Sequence, residues 1–344
     1  MTTLYVTHSQ YAAHKMLDHQ HPEHPGRIEA VWDVFEAANL TQRLQTSTPE
    51  AVSDSQILRV HTQKHLDTLA MISKQDSMMM FDQDTYALPQ SPYIARLSAG
   101  GVVAAVDAVM TGQVDNALAA VRPPGHHATP TRAMGFCILS NIAIGARQAQ
   151  AVHGAKKVMI VDYDVHHGNG TQDVFYDDDS VLFVSTHQYP YYPGTGAINN
   201  IGQGTGIGTT LNIPLRSGHG DDSYKAIFER VIRPAAKRFQ PDLIMVSAGF
   251  DAHHVDPLAM MRLTHTGYAH LTRDLKQMAD ELCDGKIVFV MEGGYDLPAL
   301  AHGMRNIAHV LLAEDEISDF YGEATGRSPD IEPLIEDLLA LHQL

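Results

Sequence analysis

Cysteine is almost missing from this chain: Cys137 and Cys283 are the only two in 344 residues. Two thiols cannot build a disulfide framework, which suits a reducing, cytoplasmic setting. Positive charge is also scarce. Lys and Arg number 24 against 40 Asp and Glu, a formal charge of −16 with His neutral. A surface of that sign disfavours nucleic acid as a direct partner, because phosphate binding needs cationic side chains. It leaves room for cationic substrates such as lysine side chains or polyamines, which a negative field attracts. The opening MTTLYVTHSQ has no basic stretch leading into an apolar one, so no signal peptide is expected. No apolar run reads as long enough to cross a bilayer, and no membrane partner is expected. Internal repeats, low-complexity tracts and clear linkers are likewise missing, so one domain over residues 1–344 is the simplest organisation.

Histidine is in excess, with 21 in the chain. Many stand in clusters: His19, His21 and His24; His126 and His127; His166 and His167; His253 and His254. The densest set of ligand-type residues lies in KVMIVDYDVHHGNGTQD, residues 157–173. Its apolar run at 158–161 is rich in β-branched residues and bounded by glycine, which reads as a buried parallel strand. Strand side chains alternate, so Asp162, Asp164 and His166 are expected on one face, with His167 on the other. Three coordinating groups at a buried strand end are expensive to desolvate unless a cation is there. The bland alternative is a polar strand end with solvated carboxylates.

Hydrophobic content of 44% with 19% charged residues describes a core-forming protein. Residues 4–8 are a strand candidate. HPEHPGR at 21–27 carries two prolines that argue against a helix there. Residues 28–38 read as an amphipathic helix, residues 57–72 have apolar positions at helical spacing, and 97–110, with Gly100 and Gly101, reads as a closely packed helix. Met78, Met79 and Met80 read as core or rim packing. From residue 117 strands alternate with helices. The strands are 117–121, 157–165, 181–186, 211–214 as an edge, 242–248 and 287–291. The helices fall within 135–152 and at 224–239, 268–283, 300–312 and 331–344. That alternation predicts an α/β protein with a central parallel sheet and helices on both faces.

Polar clusters follow these strands directly: His126 and His127, Asp164 and His166, His187, Asp251, and the segment EGGYD at 292–296. In open parallel sheets the site lies beyond the carboxyl ends of the strands. Asp164, His166 and Asp251 form a set able to hold one divalent ion with a position left for water. His126 and His127 would manage protons, and each ring needs an acceptor on its far nitrogen, for which Asp162 and Asn169 are the nearest candidates. Tyr295, on a Gly-Gly turn, is placed to donate to a developing oxyanion. The inventory is that of metal-assisted hydrolysis. His61 and His65 read as a packed or solvated helix face, His187, His253, His254 and His265 as rim or supporting histidines, Cys137 as a buried hydrophobe, and Asp177 to Asp179 as a turn.

VRPPGHHA, GFC at 135–137, DYDVHHGNGTQ, SAGFDAHHVDPL and MEGGYD, in this order, resemble the histone deacetylase family over about residues 4–312, in its class II-like branch with bacterial deacetylases and acetylpolyamine amidohydrolases. The resemblance implies an arginase/deacetylase fold forming a single deacetylase-like catalytic domain. It implies a Zn2+ ion on Asp164, His166 and Asp251, His127 as general base, Asp162 as partner of His126, and Tyr295 as oxyanion donor. Asn169 stands where class I members have Asp. Gly135, Phe136 and Tyr192 match the acyl-lysine tunnel, with Tyr192 departing from a more usual Phe. Leu258 matches a gatekeeper that is Glu in a polyamine-selective member. Asp162 and Ser185, with the backbone of Asp164, His166 and Thr186, match a monovalent-cation site, usually K+. HPEHPGR resembles the class II mouth loop, and with only Cys137 and Cys283 no second, cysteine-containing zinc site is expected. The expected substrate is an acyl-lysine peptide or protein, or another acylated amine. An acetylpolyamine amidohydrolase, a dimetal ureohydrolase and a non-catalytic binder of acylated ligands stay open, as does assembly into a homo-oligomer.

Overall fold

Short β-branched segments bounded by glycine and polar residues make the strands, and longer amphipathic stretches make the helices. The computed structural model describes residues 1–16 and 21–344, so His19 lies outside the described residues. The strands, in chain order, are β1 (Thr3–Val6), β2 (Gln45–Ser47), β3 (Met79–Met80), β4 (Tyr86–Ala87), β5 (Asn116–Ala119), β6 (Val158–Asp162), β7 (Val181–Gln188), β8 (Thr210–Leu215), β9 (Leu243–Ala248) and β10 (Ile287–Met291). The helices are α1 (Gly26–Ala37), α2 (Asp54–Ile57), α3 (Gln63–Ile72), α4 (Ser91–Met110), α5 (Asn141–His153), α6 (Asn169–Phe175), α7 (Asp221–Ile227), α8 (Arg233–Phe239), α9 (His265–Leu282), α10 (Leu297–Leu311) and α11 (Glu332–His342).

Eight strands form one sheet in the order β2-β1-β5-β10-β9-β6-β7-β8, every pairing parallel. The hairpin of β3 and β4 stands apart, with Met78 and Met80 exposed at its rim. Every residue of β5, β6, β9 and β10 is buried. Since strand side chains alternate, burial of all of them means that both sheet faces are covered. Helices α4 and α5 pack together and against the sheet, while α1, α10, α9 and α7 pack in a second chain of contacts. The four central strands β5, β10, β9 and β6 are spatial neighbours, so the segments leaving their carboxyl ends meet at one rim.

The structure corrects several expectations. Strand β6 ends at Asp162, so Asp164 and His166 are placed by the turn that follows it and not by strand alternation. Strand β7 runs on to Gln188 and holds His187 inside it. Residues 57–72 are not one helix: α2 ends at Ile57 and Thr62 caps α3 through its side chain, because a polar N-cap restarts the backbone hydrogen bonding. The helix expected at 224–239 starts earlier and contains a π-turn at Phe228–Ile232 between α7 and α8. Part of HPEHPGR is helical, since α1 begins at Gly26, just after Pro25, where proline is tolerated. Finally, Ser91–Met110 is long and apolar enough to cross a bilayer by length and composition, yet 72% of its most apolar stretch is buried inside this fold. Core helices share that composition because they are covered all round.

Candidate active site

The turns that follow β6 and β9 bring Asp164, His166 and Asp251 together. One ligand atom from each lies within 4.8 Å of the other two, and all three residues are buried. His166 Nδ1 stands 3.0 Å from Asp251 Oδ2 and 3.3 Å from Asp164 Oδ1. Backbone amides fix the carboxylates: Val165 N–H donates to Asp251 Oδ1 at 2.8 Å and Gly293 N–H to Asp164 Oδ2 at 2.8 Å. Gly293 has to be glycine, because a Cβ there would sit 2.3 Å from Asp251 Oδ2 and 2.5 Å from Asp164 Oδ2. Burial and the charge of Asp164 push the Asp251 carboxyl up to about 7. Two buried anions thus compete for one imidazole, a charge deficit that a divalent cation would fill. A donor set of two carboxylates and one histidine fits zinc and several other divalent metals.

The histidine pair hangs from the turn that follows β5, with ring centroids 4.0 Å apart. His126 Nδ1–H donates to Asp162 Oδ2 at 3.0 Å, and His127 Nδ1–H donates to Asn169 Oδ1 at 2.8 Å. Burial disfavours the charged form of His126, but the carboxylates of Asp164 and Asp162 outweigh it and hold the ring well above its ordinary value. A cation on Asp164 would draw on that charge and bring His126 down. His127 goes the other way: burial, then the neighbouring His126 and His166, hold it well below its ordinary value. An amide partner supplies no charge to reverse this, so His127 stays neutral with Nε2 free to accept a proton.

A cavity of about 240 Å³ opens over these groups, lined by Asp84, His127, Gly135, Phe136, His166, Tyr191, Tyr192, Leu258 and Tyr295. All four tunnel residues expected from the sequence therefore line it. Phe136 holds a left-handed backbone, φ 67°, after Gly135 at φ 57°. A Cβ on Gly135 would lie 2.4 Å from the His127 ring. A non-glycine residue in that region costs about 1–2 kcal/mol, and such strain gathers at functional sites. The Tyr192 ring meets His127 edge-on at 5.2 Å, and Tyr191 stacks on His166 at 5.7 Å. Tyr295 packs edge-on against Phe136 at 5.8 Å. Burial, opposed by the Arg27 charge and aided by those of Asp251 and Asp164, holds its phenol well above the ordinary value, so it remains a hydrogen-bond donor.

The residues expected at a monovalent-cation site are neighbours in register, Asp162 opposite Ser185 on β7. Ser185 Oγ also lies 3.0 Å from His187 Nδ1. His167 bonds Thr195 and Gln172, and His61 and His65 bond backbone carbonyls at Thr129 and Ile138, so all three are packing residues. His253 and His265 are buried, with His254 stacked on His253. Burial also holds the Cys137 thiol well above its ordinary value, as expected of an inert thiol.

Sequence reasoning missed two supports. Glu292, fully buried, accepts the N–H groups of Gly125 at 2.7 Å and His126 at 3.2 Å, tying the histidine turn to the Tyr295 segment. Arg27 donates Nε–H to Gly294 O at 2.7 Å, places its guanidinium 5.0 Å from the Tyr295 ring centroid and pairs with Glu23, which also binds Arg122. So HPEHPGR is in part an internal brace; of its residues, His21 packs edge-on against Phe136. A buried Arg–Glu pair leaves no periodic signal in sequence.

The chain matches the family described as the histone deacetylase domain over residues 21–311. It is 42% identical to histone deacetylase 14, chloroplastic, of Arabidopsis thaliana, over 87% of this chain and 74% of that one. It is 43% identical to the histone deacetylase-like amidohydrolase of Pseudomonas aeruginosa, over 80% and 71%, and 40% identical to a probable deacetylase of Archaeoglobus fulgidus, over 86% and 82%. The crystal structure of the HDA15 HD domain superimposes with a TM-score of 0.91 at 37% identity, covering 99% of this chain and 94% of that one.

Proposed function

Since this chain belongs to the histone deacetylase family, with the arginase/deacetylase fold and the machinery of a hydrolytic deacetylase, we propose that it is a zinc-dependent deacylase removing acetyl groups from lysine side chains. One observation carries the reading. The Asp164–His166–Asp251 set lies under the same cavity into which a neutral His127 and Tyr295 face. Bound at that set, zinc would supply Lewis acidity, acidifying a water and polarising the acyl carbonyl. His127 Nε2 accepts the proton of the attacking water, its Nδ1–H fixed on Asn169. The Tyr295 hydroxyl donates to the carbonyl oxygen as negative charge builds there. The departing amine takes its proton from the histidine pair, and acetate is released. Phe136, Tyr192 and Leu258 give the approach an apolar wall suited to the methylene stem of acyl-lysine. A monovalent cation at Asp162, Ser185 and Thr186, K+ by the family resemblance, would brace the strand ends beneath the site.

The polyamine reading has one observation in its favour: Asp84 lines the same cavity and offers a carboxylate to a second ammonium group. A panel of acetyl-lysine peptides, longer acyl-lysine peptides and acetylated polyamines decides between the two. Turnover of peptides by the wild type and its loss in His127→Ala is expected. Equal turnover by both proteins would sink the mechanism, and turnover of polyamines alone would move the substrate. Metal analysis of the active protein should return about one zinc per chain; about two manganese ions would favour a ureohydrolase.

A further inference from the structure

The turn that carries Tyr295 has little bulk of its own to hold it. Gly293 and Gly294 precede the tyrosine, and Gly294 sits at φ 118°, a conformation free to glycine alone. Its rigidity therefore has to come from outside. Gly293 is held by Asp164 and by Phe250 N–H, and Gly294 O by Arg27. From Tyr295 onward the partner changes. Asp256 Oδ2 accepts the N–H of Tyr295 at 2.7 Å and that of Asp296 at 3.1 Å. Its other oxygen, Oδ1, accepts the N–H of Leu258 at 3.0 Å. Asp256 is 5% exposed. Three N–H groups converge on one side chain, and a carboxylate is the group that accepts all three while presenting no donor of its own. Tyr295 and Leu258 line the same cavity.

We propose that Asp256 is a positioning residue of the hydrolytic site, whose carboxylate sets the Tyr295 hydroxyl against the substrate carbonyl and fixes the Leu258 wall relative to it. The role rests on the deacylase reading above. Asp256 touches no substrate atom; it acts through the backbone of the two residues that do, and small misplacements of such groups cost rate steeply.

The test is a double-mutant cycle with Tyr295→Phe on the zinc-loaded enzyme, with amide hydrogen exchange beside it. Asp256→Ala is expected to lower kcat roughly 10²-fold in the wild-type background and less than about 3-fold in Tyr295→Phe, since the donor it positions is already gone. Asp256→Asn keeps one oxygen for Tyr295 and Asp296 but turns its amide N–H₂ on the Leu258 N–H. It is expected to hold kcat within about 3-fold and raise KM about 10-fold. Exchange of the amides in 293–297 should quicken at least about 10-fold in Asp256→Ala while β9 and β10 keep their protection. An equal loss in both Tyr295 backgrounds, or unchanged exchange at 293–297, overturns the proposal. Should the Ala variant fail to fold, the kcat against KM split of Asp256→Asn decides. Should the wild type hydrolyse nothing in the panel, the deacylase reading falls, and the exchange result alone judges the clamp.

Discussion

At His127 the nitrogen facing away from the cavity donates to an amide oxygen, and that choice of partner sets the ring's chemistry. Asn169 orients the imidazole without supplying negative charge, so burial and the nearby His126 and His166 keep it neutral and ready to accept a proton. Asn169→Asp would place a carboxylate at the same distance and favour the imidazolium. A base is inactive once protonated, so the acidic limb of the kcat/KM profile should move to higher pH, by about 1 unit or more. An unmoved limb would remove His127 as the titrating base. Tyr295→Phe deletes the proposed oxyanion donor while leaving the ring packed on Phe136, and should lower kcat about 10²–10³-fold with little change in KM. An undiminished kcat would show that the hydroxyl plays no part in the reaction.

Among the elements, α4 shows how backbone contact shapes the scaffold behind the site. Gly100 faces Glu50 so closely that a Cβ would lie 1.8 Å from its carbonyl oxygen, and one on Gly101 would meet Val121 at 2.8 Å. Both contacts involve parts that cannot swing aside cheaply, the first being main chain. Gly100→Ala gains helix propensity but must push α4 off its neighbour, and should destabilise the protein by about 3 kcal/mol. Denaturant unfolding measures it; a midpoint equal to the wild type would mean that the segment around Glu50 yields freely. Just beyond this contact, Val121 leads into the histidine turn, so the packing of a distant helix bears on the site.

For the whole molecule, the large number of histidines makes folding sensitive to acid. Burial, with the Arg122 charge, holds His14 down to about 3. Burial, with His65 beside it, holds His61 down to about 3, and burial holds His187 down to about 4. On unfolding each returns to an ordinary value near 6.5. Between about pH 6.5 and those folded values the unfolded chain binds protons that the folded chain refuses. Stability therefore falls as pH drops through that window and is fully present above it. Each histidine should forfeit about 2 kcal/mol by pH 5, in the metal-loaded protein as well. Thermal unfolding at pH 7 and pH 5 should show the drop, and His61→Gln should make it shallower. A melting temperature independent of pH over this range would contradict the buried-neutral assignment.

The alternation of apolar β-branched runs with amphipathic stretches is local information, and it determined the parallel α/β sheet, the strand at 287–291 to the residue, and the rim where polar clusters collect. Residue chemistry alone marked Asp164, His166, Asp251, His126, His127 and Tyr295, because groups of these types are rarely placed together at strand ends without a task. What sequence could not decide depends on contacts across the chain. That Asp164 and His166 sit on a turn and not on strand β6, that Glu292 and Asp256 clamp backbone amides far away in sequence, and that Glu23 joins Arg27 to Arg122 all follow from long-range packing. Hydrogen bonds to main-chain groups leave no pattern of period 2 or 3.6, so only the folded chain shows that Glu292 and Asp256 are the carboxylates that hold the backbone in place.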